Sequence, residues 1–554
     1  MLKNRKKLLV ALVLTVTVSV GFVTKVSDNY FEISKNLDIF GKLYRDINIL
    51  YVDEVDPTRM MRTGIDAMLG KLDPYTTFIS ESEIEDFKFM STGQYGGIGA
   101  MVGSRDGKIM VIERYKGYPA DKSGLIAGDQ LLAVDGQPLR GDESIKEMRA
   151  YLRGEKGTQL KVLVKRADKE PFEVQVTRDR IRINNVPYYG MVNNDIGYIS
   201  LTGFTQDAGK EVREALLSLK STQPKLKGVI LDLRGNPGGR LDEAVNVSNV
   251  FIKQGTKIVE TRGKDQSSNR NHFARNAPTD LNIPVAVLVN SRSASASEIV
   301  AGSIQDKDRG IIVGQRSFGK GLVQNIRGLS YGTQLKVTTA KYYTPSGRCI
   351  QAIDYSNRAE DGSVGKVPDS LKTAFKTDNG RVVYDGGGVE PDVKVEKPMR
   401  QTITRELQTQ NLIFNFATKF VQENPEIASP QEFEINDNIY NQFVAFVEQQ
   451  DFDYETQADK KLTVLKEALE EETYYESLSE ELETFRQHLE DHKDRDLSHF
   501  KKDISRLLLE EIVGRYYYKE GVIEASFRKD PDVVAAVKTI TDQKAYTAIL
   551  QGNQ

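Results

Sequence analysis

Cysteine and histidine are both scarce in this chain of 554 residues, and their scarcity excludes several kinds of chemistry. The single cysteine, Cys349, cannot form an internal disulfide. The four histidines are His272, His488, His492 and His499. His272 lies in a very polar stretch typical of a mobile loop, which disfavours a catalytic triad built on histidine.

Metal and cofactor sites are equally poorly supported. His488 and His492 have the i, i+4 spacing that can bind zinc, but the residues between them do not follow the H-E-x-x-H order. Their charged surroundings favour a solvated helix face. The glycines at 97, 99 and 103 resemble a dinucleotide fingerprint only loosely, because the second interval is one residue too long. We expect no metal and no cofactor.

Neither sign of charge dominates the composition. The formal net charge is −3 and 39% of the residues are hydrophobic, as in an ordinary soluble globular protein. No nucleic-acid partner is therefore expected, and the length predicts several domains.

The N-terminus has the pattern of a targeting segment. Four of the first seven residues are Lys or Arg, and the 17 residues Leu8–Thr24 are uncharged and mostly apolar. No clean Ala-x-Ala cleavage site follows, so residues 1–27 are interpreted as an uncleaved signal anchor in preference to a cleaved signal peptide. The basic start should remain in the cytoplasm, which puts the rest outside it, in the periplasm.

Four further segments follow from the spacing of apolar residues and turns. Residues 28–91 are predicted to be a helical region, and residues 92–182 a small β-rich module. Strands and helices alternate over residues 183–400, which predicts an α/β core. Residues 401–554 show a highly charged helical pattern.

A serine and a lysine 25 positions apart suggest a nucleophile and its base. Ser295 follows the apolar strand Val285–Val289 and begins a helix, where backbone N–H groups and the dipole favour a developing anion. Lys320 lies between two glycines and next to apolar residues, a setting that can lower the pKa of an amine. A structural alternative stays open, since Ser295 and Glu298 also fit a helix capping box.

A second chain turn offers groups for an oxyanion hole. The sequence Asn236-Pro237-Gly238-Gly239 ends the apolar strand Gly228–Leu233. Such a turn exposes backbone N–H groups that can stabilise a tetrahedral oxyanion.

These motifs together resemble the carboxyl-terminal processing proteases, also called tail-specific proteases, from about residue 40 to 396. The motifs that carry the resemblance are Leu72–Pro74, Gly97–Ala100, Pro119–Gly136, Leu231–Gly239, Ser293–Glu298, Phe318–Gly321, Tyr343–Arg348 and Gly388–Asp392.

The resemblance implies a multidomain α+β fold: a PDZ β-rich module and an α/β protease core similar to ClpP and crotonase, with helical regions at both ends. It also implies that Ser295 is the nucleophile, Lys320 the general base and Gln324 the residue that positions the lysine. Asp306 matches an acidic position given a role in some members. The oxyanion-hole candidates are the N–H of Ala296 and one from Gly238 or Gly239.

The resemblance further implies that the PDZ module captures the C-terminus of the substrate. The loop Gly97, Ile98, Gly99 and Ala100 would bind the terminal carboxylate through its backbone N–H groups. Ala100 stands where many PDZ loops carry an aromatic residue.

The sequence therefore predicts a serine endopeptidase that cleaves exported proteins near their C-termini. Two alternatives remain: a catalytically silent PDZ scaffold that binds protein C-termini, and, ranked last, an enzyme similar to acyl-CoA hydratases. The oligomeric state, a homo-oligomer included, and the role of residues 401–554 are left open.

Overall fold

The computed structural model describes residues 30–359, 362–396 and 401–552. The predicted anchor at residues 1–27 lies outside these ranges. Within them, no helix combines the length and the apolar character needed to cross a bilayer.

The N-terminal region contains helices and one short strand. Its elements are α1 (30–50), α2 (Pro57–Leu69), β1 (Thr77–Ile79) and α3 (Ile84–Thr92). Asp56 caps α2 by accepting hydrogen bonds from the N–H groups of Thr58 and Arg59. The short strand β1 within the predicted helical region was not foreseen, because three residues are too few to show an alternating pattern.

The small domain consists mainly of β-strands. Its elements are β2 (Gln94–Gly97), β3 (Ala100–Arg105), β4 (Lys108–Arg114), α4 (Pro119–Lys122), β5 (Gln130–Val134), β6 (Gln137–Pro138), α5 (Ile145–Leu152), β7 (Gln159–Lys165), β8 (Phe172–Thr177) and β9 (Asp179–Arg182). The main sheet has the order β3-β4-β5-β7-β8, with β6 beside β5, and β2 and β9 form a separate pair. Alternate residues of β7, namely Leu160, Val162 and Val164, are buried in its core.

The central domain is the α/β part of the chain. Its elements are β10 (Tyr188–Met191), β11 (Ile196–Ser200), α6 (Ala208–Thr222), β12 (Gly228–Asp232), α7 (Leu241–Phe251), β13 (Lys257–Gly263), β14 (Arg270–Phe273), β15 (Val285–Val289), α8 (Ala296–Asp306), β16 (Ile311–Gly314), β17 (Leu322–Gly328), β18 (Gln334–Tyr343), β19 (Ile353–Arg358), β20 (Val364–Lys366), β21 (Ala374–Lys376), β22 (Val382–Tyr384) and β23 (Val393–Lys394).

The main sheet of the central domain has the order β10-β11-β12-β15-β16-β23, and all neighbours except β10 and β11 are parallel. The strands β11, β12 and β15 are buried along their whole length, as parallel strands covered on both faces should be. Helices α6, α7 and α8 cover one face, where Leu231 and Val287 share an apolar core with Val247.

The second sheet joins the N-terminal region to the central domain. Its order is β1-β18-β13-β14, with β17 also paired to β18. The register places Thr77 opposite Lys336. A segment that precedes the small domain therefore packs beside the strands that follow Lys320.

The helical tail comprises α9 (Thr402–Thr409), α10 (Leu412–Glu423), α11 (Asp437–Glu448), α12 (Gln457–Glu471), α13 (Tyr475–Lys493), α14 (Asp496–His499), α15 (Lys501–Ser526), α16 (Pro531–Thr541) and α17 (Gln543–Leu550). It covers the second face of the main sheet: Val533 and Ile540 of α16 pack in one core with Ile230 and Leu288 of the strands. The tail therefore completes the core of the central domain.

The tail also contacts the small domain. The hydroxyl of Tyr518 donates to Asp121 Oδ1 at 2.8 Å, and the side chain of Asn411 donates to Asp106 at 2.8 Å. On the central domain, Arg234 pairs with Asp532 of the tail at 2.8 Å. One helical unit therefore links the small domain to the end of β12.

We expect Ile540→Ala to destabilise the central domain by about 2–4 kcal/mol, because a fully buried side chain is removed from the tail–sheet core. Thermal unfolding and amide hydrogen exchange of β12 and β15 measure the effect. Val534→Ala on the same helix is the matched control, since Val534 is 49% exposed and should change stability by less than about 0.5 kcal/mol. Equal effects of the two variants would contradict the tail's place in this core.

Candidate active site

Ser295 lies between the central strand β15 and helix α8. Its backbone has φ 56° and ψ −113°, a conformation that side-chain-bearing residues rarely adopt. Strained backbone is concentrated at functional sites, and a strand-to-helix turn is where some hydrolases carry a nucleophilic serine.

The turn before Ser295 is held by Asn236, which is fully buried. The Asn236 carbonyl accepts hydrogen bonds from the Ala294 N–H at 3.0 Å and the Ser297 hydroxyl at 2.9 Å. Its side-chain NH₂ donates to the Leu201 carbonyl at 2.8 Å. The ends of β11, β12 and β15 are thereby tied together beneath the serine.

Lys320 follows β16 in a loop that lies against the serine segment. The Phe318 N–H donates to the Ser293 carbonyl at 3.0 Å. Gly319 has φ 88°, and a Cβ there would lie 2.4 Å from the Ala352 Cβ, so only glycine fits before the lysine.

Glu298 joins the serine and lysine segments directly. Its Oε2 accepts the N–H of Ser295 at 2.8 Å and the N–H of Lys320 at 2.9 Å. Its Oε1 accepts the N–H of Gly319 at 2.7 Å and the hydroxyl of Ser317 at 2.5 Å. The side chain is completely buried, and burial raises the pKa of its carboxyl group to about 7 against the opposing effect of these hydrogen bonds.

Tyr342 provides a second connection between the same segments. Its buried hydroxyl lies 2.6 Å from the Lys320 carbonyl oxygen and 3.0 Å from that of Ser295, so its proton can be donated to either. Glu298 thus binds the backbone N–H groups of Ser295 and Lys320, and Tyr342 binds their backbone carbonyl groups.

The environment of Lys320 favours its neutral form. Burial lowers the pKa of Lys320 to about 8, and the nearby positive charge of Lys336 adds to this effect, while Glu298 and Asp73 oppose it. Its Nζ lies 4.3 Å from the ring centroid of Tyr75. Within the described residues, no hydrogen bond joins Nζ to the Ser295 hydroxyl; such contacts often form only when substrate binds.

Gln324 makes no hydrogen bond to the lysine amine, both residues being among those that the structure describes. It lies on β17, and its side-chain NH₂ donates to the Thr338 hydroxyl at 3.1 Å. Its predicted role in positioning Lys320 stays a prediction.

The oxyanion-hole candidates do lie beside the serine. A Cβ on Gly238 would be 2.8 Å from the Ser295 Cβ and 2.9 Å from the Ala296 nitrogen. The Gly238 N–H, however, donates to the Asn236 side chain at 2.9 Å. Gly239 lies next in the turn with φ 155°, against the backbone of Phe204.

The other predicted residues lie elsewhere. Of the carboxylate loop, Gly97 ends β2 and Ala100 begins β3; Ile98 and Gly99 connect them, and their carbonyls accept the N–H groups of Ala120 and Tyr115 at 2.7 and 2.9 Å. Asp306 ends α8, where it is buried and paired with Arg348 at 2.8 Å. His272 is half-buried in β14, while His488 and His492 are exposed on α13.

Sequence reasoning missed the roles of Glu298, Tyr342, Asn236 and Tyr75. Glu298 was visible only as part of a capping box, although an acidic residue in an otherwise small and apolar helix start is a usable signal for a buried carboxylate. The other three contact residues far away in the chain, so no local spacing indicates their roles.

Three family models match the chain in order. They are described as PDZ domain (residues 110–166), peptidase family S41 (195–360) and probable PDZ-protease, C-terminal helical domain (403–540). The multidomain fold with a PDZ module, a protease core and a C-terminal helical domain is confirmed.

Several known proteins are similar in sequence to this chain over more than half of its length. A carboxy-terminal-processing protease of Bartonella bacilliformis is 38% identical over 58% of this chain and 73% of its own length. The carboxy-terminal processing protease CtpA of Bacillus subtilis is 33% identical over 66% of this chain and 76% of its own. A solved photosystem II D1 C-terminal processing protease is 26% identical, with a TM-score of 0.35 over 64% of this chain and 92% of its own.

These matches extend over more than two thirds of the length of each curated relative. The S41 match, residues 195–360, spans Ser295, Lys320 and the glycine turn of the central domain. The chain is therefore a serine-type peptidase and belongs to the carboxy-terminal processing proteases of peptidase family S41.

Proposed function

We propose that this peptidase cleaves exported proteins near their C-termini with Ser295 as nucleophile and Lys320 as general base. The observation that carries the proposal is the shared carboxylate of Glu298, which binds the backbone N–H groups of both residues. A buried lysine whose pKa is lowered to about 8 supports the role of base, because an appreciable fraction is neutral near neutral pH.

The chemistry follows from these groups. Neutral Lys320 accepts the proton of the Ser295 hydroxyl as its oxygen attacks the peptide carbonyl carbon. The tetrahedral oxyanion is stabilised by the Ala296 N–H at the start of α8 and by the glycine turn. Lys320 then returns the proton to the leaving amine, and the acyl-enzyme is hydrolysed by a water that Lys320 deprotonates in turn.

Substrate capture is assigned to the PDZ module. We propose that the loop Gly97–Ala100 binds the terminal carboxylate of the substrate through backbone N–H groups. The positive φ of 75° at Gly99 supports this, since a turn of that kind aims successive N–H groups to one side. A PDZ domain of a carboxy-terminal protease from Vibrio cholerae was solved in complex with peptide.

The N-terminal pattern supports an extracytoplasmic, membrane-anchored location. Four basic residues precede 17 uncharged, mostly apolar ones, an order that retains the start in the cytoplasm and exports the remainder. Accessibility of the chain to added protease in intact spheroplasts distinguishes this location from a cytoplasmic one.

Ser295→Ala and Lys320→Ala should each lower kcat by about 10⁴-fold or more, because nucleophile and base act as one unit. Hydrolysis of a fluorogenic peptide measures the loss, with circular dichroism to verify folding. Ser330→Ala and Lys341→Ala, at exposed positions, are the matched controls and should retain activity. Full activity of either site variant would refute the assignment, and absence of hydrolysis by the unaltered protein would favour a silent scaffold.

The reaction should be faster at high pH. The base must be neutral, so kcat/KM should rise about tenfold per pH unit below the Lys320 pKa of about 8 and level off above it. Lys336→Gln removes a nearby positive charge, which should raise the pKa of Lys320 and move the rise to higher pH. Lys341→Gln is the control: Lys341 is on the same strand but exposed, so its replacement should not change the pH at which kcat/KM rises. A rate independent of pH between 6 and 10 would argue against a lysine base.

A peptide substrate with an amidated C-terminus should be processed more slowly than the free acid, by about tenfold or more in kcat/KM, because charge-assisted hydrogen bonds to the loop are lost. Acetylating the N-terminus of the same peptide is the control and should have little effect. Equal rates for acid and amide would remove the capture role without affecting the Ser295–Lys320 assignment.

A further inference from the structure

The lysine amine faces an aromatic ring supplied by the N-terminal region. Lys320 Nζ lies 4.3 Å from the ring centroid of Tyr75, within the range in which an aromatic face attracts a cation. Tyr75 precedes the PDZ domain in the chain, whereas Lys320 belongs to the central domain. The contact therefore exists only because the second sheet brings these segments together.

The Tyr75 ring is held on a rigid turn. The buried carboxylate of Asp73 accepts the N–H groups of Tyr75 and Thr76, both at 2.9 Å. The Thr76 hydroxyl accepts the Thr338 N–H at 3.1 Å, which fastens the turn to β18. The Tyr355 ring stands at 90° to the Tyr75 ring, with the two centroids 6.1 Å apart. These contacts restrict movement of the Tyr75 ring away from the Lys320 amine.

Three segments that pack around Lys320 contribute charged or titratable groups. Helix α8 supplies Glu298, β18 supplies Lys336 and Tyr342, and the N-terminal turn supplies Asp73. In the described part of the chain, no carboxylate lies within the 4.0 Å of Nζ that defines an ion pair. The aromatic face is therefore the group that contacts the amine directly.

The two protonation states of Lys320 interact differently with such a face. An ammonium ion is attracted to the electron-rich ring, whereas a neutral amine is not. The neutral amine is instead a hydrogen-bond acceptor for the Ser295 hydroxyl. Loss of the proton thus removes the attraction between the amine and the ring and allows the amine to accept a hydrogen bond from Ser295.

We propose that Tyr75 is a positioning residue for Lys320: its ring holds the protonated amine in the resting enzyme and releases it toward Ser295 when the amine loses its proton to solvent. This inference rests on the proposed function of Lys320 as base. It assigns to the N-terminal region a part in the active site, in addition to its packing on β18.

The test removes the aromatic face and follows the titration of the lysine. In Tyr75→Leu the protonated amine loses its partner, so the rise of kcat/KM with pH should move to lower pH by about one unit. Tyr75→Phe keeps the face and should titrate as the unaltered enzyme does. Phe78→Leu is the matched control, because the Phe78 ring faces Arg62 and not Lys320. The Arg62 Cζ lies 5.5 Å from the centroid of the Phe78 ring.

A second measurement does not need activity. Lysine labelled with ¹³C at Cε, assigned through Lys320→Arg, can be titrated by NMR in a Ser295→Ala background with and without Tyr75→Leu. Fluorinated phenylalanine at position 75, compared with phenylalanine, weakens the face without changing its shape. This substitution should also move the lysine titration to lower pH. It provides the test if Tyr75→Leu fails to fold.

The outcomes separate the two proposals. A titration that does not move in Tyr75→Leu and with fluorinated phenylalanine would overturn the role of Tyr75, since the ring would then not stabilise the protonated amine. A move to higher pH would also overturn it, since the ring would then act only by excluding water. If the NMR titration moves as expected but the unaltered enzyme shows no Ser295-dependent hydrolysis, the ring contact stands and the proposed function fails.

Discussion

One buried carboxylate holds the two chemically important segments of this protein together. Glu298 receives four hydrogen bonds, two of them from the backbone N–H groups of Ser295 and Lys320. It lies in the first turn of α8, where the helix dipole favours a negative charge. Without it, several buried donors would have no acceptor, which costs about 1–3 kcal/mol each, and the serine and lysine segments would be free to separate.

The position of this carboxylate depends in turn on a sheet that must be covered on both faces. Helices α6 to α8 cover one face, and α16 and α17 cover the other. The last helices of the chain are therefore part of the peptidase core, although they follow it by more than a hundred residues. Through Arg234 on the central domain and Asp121 on the PDZ domain, the same tail links the candidate site to the PDZ domain.

Much of the fold could be predicted from local pattern because parallel, fully buried strands leave a strong signal. The predicted apolar strands Gly228–Leu233 and Val285–Val289 correspond closely to the observed β12 and β15. The short strand β1 and the docking of the tail on the main sheet could not be predicted, since each depends on pairing or packing with residues hundreds of positions away.

Local sequence was enough to indicate the residues to which we assign the chemistry: a serine at a strand-to-helix turn, a lysine between glycines and a glycine-rich turn each have a local backbone signature. What surrounds these residues became visible only in the folded chain. Glu298, Tyr342 and Tyr75 make contacts between segments that are distant in the chain, and the pKa of Lys320 depends on burial and on the charges of nearby side chains. Local spacing encodes backbone geometry, whereas the pKa of a buried amine is a property of everything packed around it.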